Sequence, residues 1–116
     1  MKAINPQLLV AIRGLQKASK KYDAEIWAAL AKKLARSKHS RVAVNLSRIS
    51  RTLKEGEMAA VPGKVLGAGN LNGRSVAAFC FSKVARKKIE NAGGECLSLE
   101  ALVQKNPRGS GVRIIG

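Results

Sequence analysis

The sequence predicts an α/β fold: a two-helix N-terminal extension, then short strands and helices in the order β–β–α–β–α–β. Three observations lead there. The first forty residues carry apolar side chains at helical spacing. From Val42 onward, short β-favouring runs alternate with helical runs, each bounded by Gly, Asn or Ser. The chain has 116 residues, 46% of them hydrophobic, enough for one domain with a modest core. Residues 1–116 therefore read as a single domain, with 1–41 the helical extension and 42–116 the α/β core.

Asn5-Pro6 reads as a helix start, since Asn caps and Pro fits the first turn. Leu8, Leu9, Ile12 and Leu15 form its apolar stripe, the helix ends near Lys17, and Gly14 is its weak point. Asp23 is the expected cap of a second helix over 24–36. Its core side holds Ile26, Trp27, Leu30 and Leu34; the other side carries Lys32, Lys33 and Arg36. The segment 37–41, "SKHSR", reads as a basic loop with Lys38, His39 and Arg41. Val42 and Val44 begin a short extended piece. Asn45 is then the expected cap of a short helix that turns Leu46, Ile49 and Leu53 inward and Arg48 and Arg51 outward.

Met58 to Val61 reads as a strand. Pro62-Gly63 fits the centre of a type II turn, after which Lys64-Val65-Leu66 is expected to return as a second strand. Asn72-Gly73 signals another tight turn. Ser75 to Phe81 is a strong strand, with Phe79 and Phe81 expected on one core-facing side. Ser82 caps a helix over 83–92 that Gly93-Gly94 ends. Glu95 to Leu97 is a short strand. Ser98 caps a last helix over 99–105, stopped by Asn106-Pro107, and "GSGVRIIG" closes with a turn and a strand.

Charge narrows the function. Lys and Arg number 22 against 7 Asp and Glu, a formal net charge of +15. Residues 1–57 carry 13 basic and 4 acidic side chains, and residues 58–116 carry 9 and 3. Basic groups are thus spread over the folded body, which points to a polyanionic partner such as nucleic acid. No apolar run approaches the roughly 18 residues that cross a bilayer, and the N-terminal segment lacks the apolar centre of a signal peptide, so a cytoplasmic protein is expected.

Catalytic and cofactor motifs are weak. "VPGKVLGAGN" (61–70) places Gly63-Lys64 before Val65, where a Walker A loop needs Ser or Thr. Gly67 and Gly69 begin a dinucleotide pattern that meets Asn72 in place of its third glycine. Cys80 and Cys96 lack the paired spacing of a zinc site and read as buried reduced thiols. His39 beside Ser40 does not make a triad, and the acids are scattered. No catalysis, cofactor, metal or small-molecule substrate is expected. "RSVAAFCF" suggests the third strand of an RNA-recognition motif, but Val76 and Ala78 stand where that motif stacks aromatics. Aromatics are only 3% of the chain, so base stacking is not the main mode. What remains is recognition of the nucleic-acid backbone by cations and close-approaching glycines.

The chain resembles the archaeal large-subunit ribosomal protein family called L-eighteen-e, itself similar to the C-terminal half of bacterial ribosomal protein L-fifteen. The likeness rests on "NPQLL" (5–9), Trp27 with "LAKKL" (30–34), "VNLSRISR" (44–51), "VPGKVLGAGNL" (61–71), "VAAFCFSKVARKKIENAGG" (76–94) and "NPRGSGVRIIG" (106–116). Val84 and Asn70 depart from the family pattern. The resemblance implies a small α/β module of irregular β–β–α turns. It implies a structural constituent of the large ribosomal subunit, bound to its rRNA beside other ribosomal proteins and without catalysis. The family offers no catalytic residues to carry over, so the expected RNA contacts follow from charge and backbone. They are Lys38, His39, Arg41, Asn45, Arg48 and Arg51, then Lys64 with Gly67 and Gly69, then Lys32, Lys33, Arg36, Lys83, Lys87, Arg108 and Arg113. The competing classes are another double-stranded nucleic-acid-binding protein, in chromatin or RNA processing, and an enzyme acting on RNA or a nucleotide.

Overall fold

The computed structural model describes residues 6–36 and 42–116. The expectations for Asn5 and for the basic loop with Lys38, His39 and Arg41 lie outside the described residues. Two helices come first, α1 (Pro6–Tyr22) and α2 (Glu25–Leu34). They are followed by β1 (Val42–Asn45), α3 (Leu46–Thr52), β2 (Met58–Leu66), β3 (Val76–Phe81), α4 (Lys83–Asn91), β4 (Cys96–Ser98), α5 (Leu99–Lys105) and β5 (Val112–Ile114).

All strand pairings are parallel. β3 runs along one edge of β2, and β4 lies beyond it. β2's other edge is shared end to end: β5 pairs with its start at Met58–Ala60, and β1 with its end at Gly63–Leu66. Alternate residues of the strands face two separate cores. Ala60 and Ala77 join α1, α2 and α5, whose Leu15, Trp27, Leu30 and Leu102 are buried there. Ala59, Val61, Val65 and Val76 join α3 and α4 through Leu46, Ile49, Ala85 and Ile89. The result is three layers, with the first two helices forming part of one of them. The links between successive parallel strands run through α3, α4 and α5, except that between β2 and β3. There the loop 67–75 takes a helix's place and buries Leu71 in the second core.

Several local expectations hold. Ser82 accepts from Ala85 N–H at 3.1 Å and Ser98 from Ala101 N–H at 3.0 Å, capping α4 and α5. Leu46, Ile49 and Leu53 are buried, while Arg48 and Arg51 are exposed. Trp27 is fully buried, and its Nε1 donates to the Pro107 carbonyl at 2.7 Å.

Others are corrected. α1 runs on to Tyr22 because Ala18 extends its buried stripe, and the exposed Gly14 does not interrupt it. Asp23 does not cap α2. It takes φ +51° in the turn between helices, and the cap position falls to Ala24, which makes no side-chain bond. Asn45 precedes α3 without capping it, because its side chain is used elsewhere. Pro62-Gly63 is not a turn: β2 continues through it, with a register shift against β3 between Val61 and Lys64. Gly63 is required there because a Cβ would meet the Val42 backbone carbonyl of β1. Phe79 packs on the first core and Phe81 on the second, not on one shared face.

Candidate nucleic-acid interface

In a parallel sheet every strand ends on the same side, and that carboxyl end gathers the loops that follow. β1 leads directly into α3, β2 into the glycine loop, and β3 through Ser82 into α4. The glycine loop is tied down at three points. Asn45 Oδ1 accepts from Ala68 N–H at 3.2 Å, and Ser47 N–H donates to the Ala68 carbonyl at 3.0 Å. Lys88 Nζ donates to the carbonyls of Gly67 at 2.8 Å and Gly69 at 3.0 Å. The glycines permit this closeness. A Cβ on Gly67 would strike the Val84 side chain; one on Gly69, at φ +94°, would strike Ser47.

The cations on this side come from every layer. Arg48 sits in the first turn of α3, Lys64 near the end of β2 and Lys83 at the start of α4, all exposed. Lys87 lies one turn along α4 from Lys83, also exposed. α2 runs the same way as the strands, since Trp27 bonds to Pro107 before β5 while Lys33 Nζ donates to the Gly116 carbonyl beyond it, at 2.9 Å. Lys32, Lys33 and Arg36 are thereby brought toward the carboxyl end.

The acids lie elsewhere. Of the seven in the chain, Asp23, Glu25, Glu55, Glu57, Glu90 and Glu95 stand in or beside segments at the amino ends of the strands. Only Glu100, at the start of α5, follows a strand. The carboxyl end is therefore strongly cationic, and the amino end is mixed.

The structure does not bring all the expected contacts together. Arg108 follows α5 and lines a cleft with Lys21, Tyr22 and Lys105 at the amino end. Arg113 on β5 is engaged within the chain: its Nε lies 3.0 Å and its Nη2 3.0 Å from the Glu57 carboxylate. Arg51 is exposed at the far end of α3 from Arg48. Asn45 and Lys33 have internal partners. Lys88 was not among the expected residues, yet it orders the glycine loop. Its signal was its place beside the apolar Ala85 and Ile89, at the border of α4's buried stripe.

Cys80 is exposed and Cys96 half-buried, both free thiols, which corrects the expectation of two buried ones. Burial pushes the Cys96 thiol up. Cys80 is exposed because it stands opposite Lys64 where no helix covers the sheet. Among the described residues no helix is long and apolar enough to cross a membrane.

The family described as "Ribosomal protein 60S L18 and 50S L18e" matches residues 2–116. The chain is 49% identical over 112 residues to the large ribosomal subunit protein eL18 of Methanothermobacter thermautotrophicus, covering 96% of this chain and 93% of that one. It is 47% identical to the protein of that name from Methanococcus maripaludis, with the same coverage. Against that of Archaeoglobus fulgidus it is 41% identical over 116 residues, 99% of each chain. With a match of this length and identity, the chain belongs to the family of ribosomal protein 60S L18 and 50S L18e.

Proposed function

We propose that the chain is a structural constituent of the large ribosomal subunit that binds folded rRNA through its phosphate backbone. The carboxyl end of the sheet is the leading face. Arg48, Lys64, Lys83 and Lys87 supply charge there, with Lys32 and Arg36 beside them. Gly67 and Gly69 keep the loop surface low enough for a backbone to approach. The observation that carries this reading is the segregation of acids: six of the seven carboxylates stand toward the amino ends of the strands, which leaves the cations at the carboxyl end with little counter-charge.

The test is equilibrium binding of the full chain to a large-subunit rRNA transcript over a salt series, with duplex DNA of equal length as competitor. The affinity should fall steeply with salt, and rRNA should win the competition. A salt-independent isotherm removes the electrostatic basis. Equal binding of duplex DNA favours a general double-stranded nucleic-acid-binding protein instead.

A further inference from the structure

Parallel sheets are normally covered on both faces, and most of this one is. The exception is a rung at the carboxyl end. Ala43 of β1, Lys64 of β2 and Cys80 of β3 lie in register across three strands, and all three are exposed. The next rung, Val44, Val65 and Phe81, packs on the second core. Ala43 and Lys64, which alternate with Val44 and Val65, therefore face the opposite side, that of α1 and α2, and Cys80 lies in register beside Lys64, between Phe79 on the first core and Phe81 on the second.

We infer that one sugar–phosphate strand of RNA crosses the sheet on this rung, over Ala43 and Cys80, with Lys64 beneath a phosphate. The inference rests on the rRNA-binding reading above and assigns it a surface. Strands stand about 4.8 Å apart, so the three residues span about 10 Å, a run that a short piece of one backbone strand covers and that is too small to seat a protein domain. Ala43 and Cys80 are short and leave the backbone room to descend onto Lys64. Among the described residues Lys64 has no ion-pair partner; the acids that do pair are Glu57 and Glu95, both at the amino end. α2 delivers Lys32 and Arg36 toward the same side. The rung carries no aromatic ring, so it is suited to backbone contact rather than stacked bases.

Cys80 makes the surface directly readable, with Cys96 at the amino end of β4 as an internal reference. The experiment is alkylation of the full chain by N-ethylmaleimide, free and bound to a large-subunit rRNA transcript, read at each cysteine by peptide mass spectrometry. Binding is measured in parallel. The expected result is that rRNA slows reaction at Cys80 by about tenfold or more and leaves Cys96 unchanged, since alkylation follows thiol access. Cys80→Trp should weaken rRNA binding by about tenfold with an unchanged circular dichroism spectrum. Lys64→Gln, an exposed change that leaves the fold alone, should lower the slope of log affinity against log salt by about one. Tight rRNA binding with Cys80 reacting at its free rate overturns the inference while the rRNA-binding reading stands. Protection of Cys80 only in whole subunits, and not by rRNA alone, also overturns it, because a protein neighbour then covers the rung. Failure to bind rRNA at all removes the parent reading, and this one with it.

Discussion

Lys88 and Gly67 are joined across the carboxyl end of the sheet, the lysine Nζ donating to the glycine carbonyl at 2.8 Å while also reaching Gly69 at 3.0 Å. A half-buried cation thus orders the loop that replaces a crossover helix. Lys88→Met keeps the aliphatic stem and removes both bonds. It should lower unfolding free energy by about 1–3 kcal/mol, as loss of charge-assisted bonds does. Urea denaturation measures this. The salt slope of rRNA binding should stay unchanged, because the charge serves the loop and not a phosphate.

The two loop glycines should differ in tolerance. Gly69→Ala places a Cβ against Ser47 on a backbone with φ +94°, so it meets both strain and a clash. Gly67→Ala meets chiefly the Val84 side chain, which is 56% exposed and has room to move. Thermal melts should show Gly69→Ala the more destabilising by about 1 kcal/mol or more, given the penalty for a non-glycine left-handed residue. Adding Val84→Ala should partly restore Gly67→Ala and do nothing for Gly69→Ala.

Arg48→Ala combined with Arg51→Ala should weaken rRNA binding while leaving circular dichroism unchanged. Both side chains are exposed, and α3 is held by Leu46 and Ile49. If each meets a phosphate, the salt slope should fall by about two. If only Arg48 does, the fall is about one, which the single variants resolve.

Glu57 and Arg113 give a pH dependence. The hydrogen bond from Arg113, then that from the Lys54 amide, holds the Glu57 carboxyl below its ordinary value of 4.5. Arg113 is raised by the same partner and stays charged throughout the acid range. The unfolded chain therefore takes up a proton at Glu57 before the folded chain does. The contribution is full above 4.5 and is lost as pH falls through the lowered folded value. Glu57→Gln should flatten the acid limb of a melting-temperature profile and change little at neutral pH. An unaltered acid limb would show that the pair does not tie β5 to β2.

Trp27→Phe removes the donor to the Pro107 carbonyl and part of the core filling between α2 and the turn before β5. It should cost about 2–4 kcal/mol in urea denaturation, combining an unpaired carbonyl with a cavity.

What the sequence made legible was local. Ser82 and Ser98 announced their helices because a cap bonds three residues away. Arg48, Arg51, Leu46 and Ile49 sorted correctly because helical spacing alone decides their faces. What stayed hidden depended on partners distant in the chain. Pro62-Gly63 has turn chemistry, but its glycine answers to Val42 of a neighbouring strand. Asn45 has capping chemistry, but its side chain is drawn to Ala68, 23 residues away. Of the interface, residue types were legible and convergence was not: nothing short-range separates Arg113, held by Glu57, from Lys64, which has no such partner.

The bonds from Trp27 to Pro107 and from Lys33 to Gly116 join positions 80 and 83 residues apart. During synthesis, α1 and α2 emerge long before the segment that closes their core. Their apolar face is covered only as Ala60, Ala77, Leu99, Leu102 and Val103 arrive, and residues 107–116 add the last contacts. Closing so long a span makes folding slow and the waiting helices prone to stray association. Shortening the last ten residues should therefore harm the yield of soluble chain more than their modest contact surface would suggest.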